Sequence, residues 1–188
     1  MTTCVETRRA MTSQQRRAIV IISIAAMVAI LTTVAAFAGS YRINLSPSKP
    51  LGIWHIAPLH RPVGVGDIVF ICPPETAEMQ DAKARGYLRF GLCPAGLAPL
   101  IKTVIAVAGQ HVEIGASVSV DGRMVSSSRL AQRDGTGRRL PPFASGIVPP
   151  EHVFLHSAFP GSYDSRYFGP LPASAILGLA QEVLTYAP

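Results

Sequence analysis

The apolar run from Ala18 to Gly39, with no charged side chain and no proline, constrains this 188-residue chain more than any other feature. As an α-helix it reaches about 33 Å, enough to cross a hydrocarbon core of about 30 Å. Arg8, Arg9, Arg16 and Arg17 precede it, and the first basic residue after it is Arg42. The denser positive flank is N-terminal, which predicts a cytoplasmic N-terminus at 1–17 and a single-pass anchor at 18–39. The anchor would sit in the inner (cytoplasmic) membrane, with a translocated, periplasmic domain at 40–188. A cleaved secretory signal is the rival reading, because Ala36-Phe37-Ala38 has the small-x-small form of a cleavage site. The apolar core is longer than the usual stretch of about 7–15 residues, which favours an anchor that is retained. Both readings place 40–188 outside the cytoplasm.

Roughly 150 residues remain for that domain, sufficient for one sizeable core. Gly and Pro number 16 each and punctuate short apolar runs. This is the texture of many short strands joined by turns, so the expected fold is mostly β. Strands are expected at 41–45, 52–56, 66–71, 100–108, 111–114, 118–120, 153–155 and 176–183. Asp121-Gly122 is a hairpin turn signal before Arg123. Residues 73–99 differ: helix-forming polar residues up to Arg89 give way to a Gly/Pro-rich stretch, which reads as a small inserted cap. Residues 126–150 read as loop.

The formal charge is +6. Beyond the N-terminal arginines the basic residues form no stripe with interleaved aromatics, so the expected partner is the lipid bilayer and not nucleic acid. Outside the cytoplasm Cys72 and Cys93 would meet oxidising conditions, where they either pair or stay as two thiols, whereas Cys4 would remain inside and reduced. No second ligand pair at metal spacing accompanies them, and no metal or cofactor is expected. His152 and His156 are four apart, as in a helical metal pair, but the intervening Val-Phe-Leu reads as strand.

Three clusters carry chemistry. In Asn44-Leu45-Ser46-Pro47-Ser48-Lys49-Pro50-Leu51-Gly52 two prolines force a turn and expose a serine just beyond the anchor. By itself this also suits an ordinary linker. In Leu100-Ile101-Lys102-Thr103-Val104-Ile105-Ala106-Val107-Ala108-Gly109 one lysine interrupts an apolar strand. Burial either pairs such an amine or neutralises it, and a neutral lysine is a competent base for a serine hydroxyl. The plainer alternative is a strand-edge lysine snorkelling to water. Ser162-Tyr163-Asp164-Ser165-Arg166-Tyr167-Phe168-Gly169-Pro170 offers a hydrogen-bonding cradle, or a loop ion pair of small worth.

Together, in this order behind an anchor, the clusters resemble the type I signal peptidases, and most of all their conjugative-transfer relatives of the TraF kind. That subgroup's boxes read approximately N-x-[ST]-x-S-x-P-x-G, L-[IL]-K-x-V-x-A-x-x-G and S-x-D-S-R-Y-x-G-P. The resemblance spans most of 18–180 and implies a signal-peptidase-like antiparallel β-sheet core. It implies that Ser48 is the nucleophile and Lys102 its general base. It further implies that Ser46 joins the Ser48 backbone N–H in the oxyanion hole, that Ser162 fixes the lysine, and that Asp164 with Arg166 holds this part together. The implied substrate is a secreted or membrane-inserted preprotein cut after small residues. In the TraF kind it is a conjugative pilin precursor, whose new termini some relatives join into a ring.

Two positions depart from the pattern: Gln110 stands where many members carry Asp after Gly109, and Lys49 follows Ser48 where housekeeping signal peptidases carry Met. Ser46-Pro47-Ser48-Lys49 also satisfies S-x-x-K, the box of penicillin-recognising enzymes. Pro50 would break the helix that box needs, and no K-T-G or S-D-N triplet is present. The remaining alternatives to a pilin-maturing enzyme are a general leader peptidase and a non-catalytic scaffold of a conjugation or secretion apparatus.

Overall fold

The structure, a computed structural model, describes residues 12–187; Cys4, Arg8 and Arg9 lie outside them. Two units are distinct along the chain, dividing between Gly39 and Ser40. The first carries helix α1 (Ser13–Ala38), which starts ahead of the apolar run because Thr12 and Gln15 form a reciprocal capping box. Arg16 and Arg17 therefore lie inside the helix. None of its side chains is buried, and from Ala18 onward no face carries a charge, as in a span surrounded by lipid. The Thr32 and Thr33 hydroxyls bond back to carbonyls one turn earlier, so they present no unsatisfied donor. At about 39 Å, α1 is long and apolar enough to cross a membrane.

The second unit is built on a seven-stranded antiparallel sheet and a four-stranded one. The large sheet contains β1 (Tyr41–Asn44), β2 (Leu51–Ala57), β3 (Ile68–Ile71), β5 (Leu100–Val107), β10 (His152–His156), β11 (Leu171–Pro172) and β12 (Ile176–Tyr186). Its spatial order is β1-β2-β12-β3-β5-β10-β11. The small sheet contains β6 (His111–Ile114), β7 (Val118–Val120), β8 (Arg123–Met124) and β9 (Gly146–Ile147), ordered β8-β7-β6-β9. Asp121 and Gly122 both take positive φ, which closes the β7–β8 hairpin. The Asp121 carboxylate accepts from the His111 amide and from Gln110 Nε2, so the turn contact at the departing Gln110 is made.

The central strand β3 is covered on both faces, which is why Ile-Val-Phe-Ile shows no polar alternation. Val69 and Ile71 enter one cluster with Val104, Leu155 and the cap, whereas Phe70 packs with Trp54 and Ile101 on the other side. A third cluster, around Val118, Val148 and Phe154, joins the small sheet to β5 and β10.

The cap lies between β3 and β5 and carries helix α2 (Ala77–Ala84) within its polar stretch. Thr76 caps its start, and Gly86 at φ +81° turns the chain away beyond its end. Met79 and Ala82 seat it on the sheet. After α2, β4 (Phe90–Cys93) returns, and a disulfide joins Cys93 to Cys72 at the end of β3. The 126–150 segment is mostly loop, with β9 the exception. It touches the cap where Tyr87 donates to Asp134 at 2.6 Å.

Candidate active site

The serine turn is shaped by Asn44, the buried last residue of β1. Its Nδ2 lies within hydrogen-bond reach of the Ser46, Lys49 and Pro50 carbonyls (2.9, 3.0 and 2.9 Å), and its Oδ1 accepts the Ser46 amide. One side chain thus satisfies backbone groups that a proline-bent turn would otherwise leave unpaired. Trp54, fully buried, adds a bond from Nε1 to the Pro50 carbonyl. Gly52 ends the turn at φ +129°, with the Leu184 carbonyl where a Cβ would stand, so only glycine fits. The result is a braced turn carrying Ser46 and Ser48, both half-buried. Their hydroxyl oxygens are 2.9 Å apart, and the Ser48 N–H donates to Ser46 Oγ at 3.4 Å.

Lys102 occupies β5 opposite Val69, on the sheet face shared with Val104 and the cap. It is 3% exposed, which rules out the snorkelling alternative. Its Nζ donates to Ser162 Oγ at 2.6 Å. Burial is the main influence on the amine and lowers its pKa to about 8. The Asp164 carboxylate works against that shift, while the Arg166 and Lys49 charges add to it.

The third cluster forms a short helix, α3 (Ser165–Phe168), capped by Asp164, whose side chain accepts the Arg166 amide. Arg166 and Asp164 are both 0% exposed and pair through two contacts, Nε–Oδ1 at 2.7 Å and NH2–Oδ2 at 2.9 Å. The sequence also allowed a surface ion pair of small worth; complete burial makes this one structural. Arg166 also donates to the Ser162 and Arg129 carbonyls, and Ser165 Oγ accepts the Leu155 amide of β10. Nε, NH1 and NH2 of the guanidinium fork thereby all donate to oxygens.

Two hydrogen-bonded pairs result, Ser46–Ser48 and Lys102–Ser162, and no hydrogen bond joins them directly. They are linked through residues that spacing alone did not reveal. Ser157, just beyond β10, donates its hydroxyl to the Ser48 carbonyl while its amide donates to Asp164 Oδ2 at 3.1 Å. Lys49 Nζ reaches Thr103 Oγ1 at 2.7 Å, tying the serine turn to the strand that carries Lys102. His156, four residues from His152 on the same strand, is buried. Its Nε2 has no hydrogen-bond partner among the described residues, and burial lowers its pKa. Among the described residues no three His, Cys, Asp or Glu side chains converge as a metal-ligand set.

A family model described as signal peptidase, peptidase S26, matches residues 15–185. The chain is 67% identical over 162 residues to a probable conjugal transfer protein TraF of Sinorhizobium fredii strain NGR234, covering 86% of each. It is 54% identical over 175 residues to the conjugal transfer protein TraF of Agrobacterium tumefaciens strain 15955, covering 93% of this chain and 99% of that one. A plasmid transfer protein TraF of Escherichia coli is 34% identical over 162 residues, or 84% and 90% of the two chains. The crystal structure of a signal peptidase I from Enterococcus faecalis V583 aligns over 63% of this chain and 97% of that one, at 17% identity and a TM-score of 0.40. On the family match and these relatives, the chain belongs to the S26 signal peptidases, serine peptidases in kind, within the conjugal-transfer TraF subgroup.

Proposed function

We propose that this chain is a membrane-anchored endopeptidase with a Ser48–Lys102 dyad that matures a conjugative pilin precursor. The observation that carries the dyad is Lys102 itself: a buried amine with a pKa near 8, held by Ser162 on the strand to which the serine turn is tied. A large fraction of such an amine is neutral at mildly alkaline pH and ready to take a proton.

In this mechanism the arriving scissile carbonyl displaces the Ser46–Ser48 contact. Ser48 Oγ attacks the carbonyl carbon as its proton passes to Lys102 Nζ. The oxyanion takes hydrogen bonds from the Ser48 N–H and the Ser46 hydroxyl, the two donors that face each other in the free turn. Lys102 then returns the proton to the leaving amine, leaving an ester on Ser48. Water, deprotonated by Lys102, releases a linear product; a substrate amine attacking the same ester releases a ring. Ser162 orients the lysine, and the Asp164–Arg166 pair holds Ser162 through its carbonyl. The anchor places its N-terminus in the cytoplasm and residues 40–188 in the periplasm, where a membrane-inserted precursor emerges.

Co-expression with a conjugative pilin precursor tests this. Ser48→Ala and Lys102→Met should each abolish processing, and persistent cleavage by either variant would exclude the dyad. Mass spectrometry of the product separates the two fates of the ester, because a ring is lighter than the linear chain by one water. Cleavage of a general secretory leader with the pilin left intact would instead assign the chain to general leader processing.

A further inference from the structure

Lys49 departs from the housekeeping pattern, and the dyad makes no use of it. Its amine is half-buried and bonded to Thr103, the neighbour of Lys102. Neighbours in an extended strand point to opposite faces. Lys102 lies with Val69 and Val104 on the cap face, and Thr103 lies opposite Ile68 and His156 on the other. Ser48 and Lys49 are consecutive in the turn. The Lys49–Thr103 bond ties the serine turn, one residue from Ser48, to β5, one residue from Lys102.

We propose that Lys49 is a positioning residue for the dyad: bonded to Thr103, it sets the Ser48–Lys102 approach and keeps a positive charge beside Lys102. The inference rests on the dyad reading and deepens it. Three features of the site support it. The remaining restraints on the turn, from Asn44, Trp54 and Ser157, all act on its backbone, so Lys49 is the side chain of the turn that anchors it to β5. The Lys49 charge disfavours a second cation at Lys102, acting with Arg166 and against Asp164. Burial lowers the Lys49 pKa, and Glu182 of β12 works against that shift by favouring its charged form. His156 of β10, paired with Thr103, also lies within electrostatic range of Lys102.

The test uses the full-length chain in detergent with a purified conjugative pilin precursor, with initial rates taken across pH, and lysine 15N resonances titrated without substrate. Thr103→Val, which removes only the acceptor at nearly constant volume, should lower kcat about tenfold or more with KM little changed. Lys49→Met should lower kcat similarly and move the Lys102 titration to higher pH, whereas Lys49→Arg should restore most of the rate. Matching unfolding midpoints would show that the variants keep the fold. Unchanged kcat in Thr103→Val, together with an unmoved Lys102 titration in Lys49→Met, overturns the inference. Ser48→Ala, run alongside, separates the two ideas. If it stays active, the dyad itself fails; if it is inactive while Lys49 and Thr103 prove neutral, only the clamp fails.

Discussion

Lys102 Nζ and Ser162 Oγ meet at 2.6 Å inside the protein, and both residues are almost completely buried. A buried amine that donates to a single hydroxyl has little to stabilise its charge, so burial governs its protonation. In the proposed dyad only the neutral form accepts the nucleophile's proton. Protonated Lys102 dominates below pH 8 and neutral Lys102 above it. The kcat/KM profile should therefore climb tenfold per pH unit well below 8 and level off above it. Ser162→Ala keeps the amine buried but frees its rotamer, and should lower kcat by roughly ten- to a hundredfold with little change in KM. Rates measured from pH 6 to 10 check both statements.

The same burial makes Lys102 a cost to the fold. Its folded pKa lies near 8, against an ordinary 10.5, so between those values the unfolded chain binds more protons and stability rises with pH. Below pH 8 the full penalty is present. Lys102→Met should thus be inactive yet more stable, raising the unfolding midpoint by on the order of a few degrees at pH 7. The advantage should fade as pH approaches 10.5. Differential scanning calorimetry across that range decides it, and a variant less stable than the parent at pH 7 would contradict the argument.

Much of this site was legible in the sequence because its residues are conspicuous where they stand. A lysine in an apolar strand, a serine between prolines and a dense Ser-Asp-Arg run each break the local pattern, and the roles that the family boxes imply for them are those proposed above. The long apolar run likewise announced α1, although the Thr12–Gln15 cap moved its start ahead of the run. Ser157, Thr103 and the bracing role of Asn44 were not legible. Each acts through a contact whose partner is fixed by tertiary pairing or by the exact shape of a turn, and a serine after a strand or a threonine within one breaks no pattern. Where the cap helix stops was not legible either: it ends at Ala84, and Gly86 at positive φ turns the chain.

Asp164 and Arg166 form a buried pair with no solvent access on either side. Removing one partner strands the other charge in the core, which is far costlier than losing both. Asp164→Ala should destabilise the domain by about 3–5 kcal/mol and also release the Ser157 amide that shares the carboxylate. The double variant Asp164→Ala/Arg166→Met should recover a large part of that stability but not the activity, because Ser162 loses the Arg166 contact at its carbonyl. Urea unfolding of the full-length chain in detergent measures the first effect, and precursor cleavage measures the second.

The Cys72–Cys93 disulfide closes a loop, at a sequence separation of 21, that contains the entire cap helix. In the unfolded chain such a loop restricts the ends by roughly 3 kcal/mol of conformational freedom. The cap otherwise relies on a few apolar contacts, Met79, Ala82, Leu88 and Leu97 against the sheet, and on the Tyr87–Asp134 bond. Reduction, or Cys93→Ser, should lower the unfolding midpoint by on the order of 5–10 °C. Because β3 and β5 pair directly on either side of the insertion, from Ile68↔Thr103 to Ile71↔Leu100, the sheet should survive loss of the tether. Hydrogen exchange should then rise sharply across residues 73–99 while amides of β5 stay protected. Equal protection of cap and sheet after reduction would mean that apolar packing alone holds the cap.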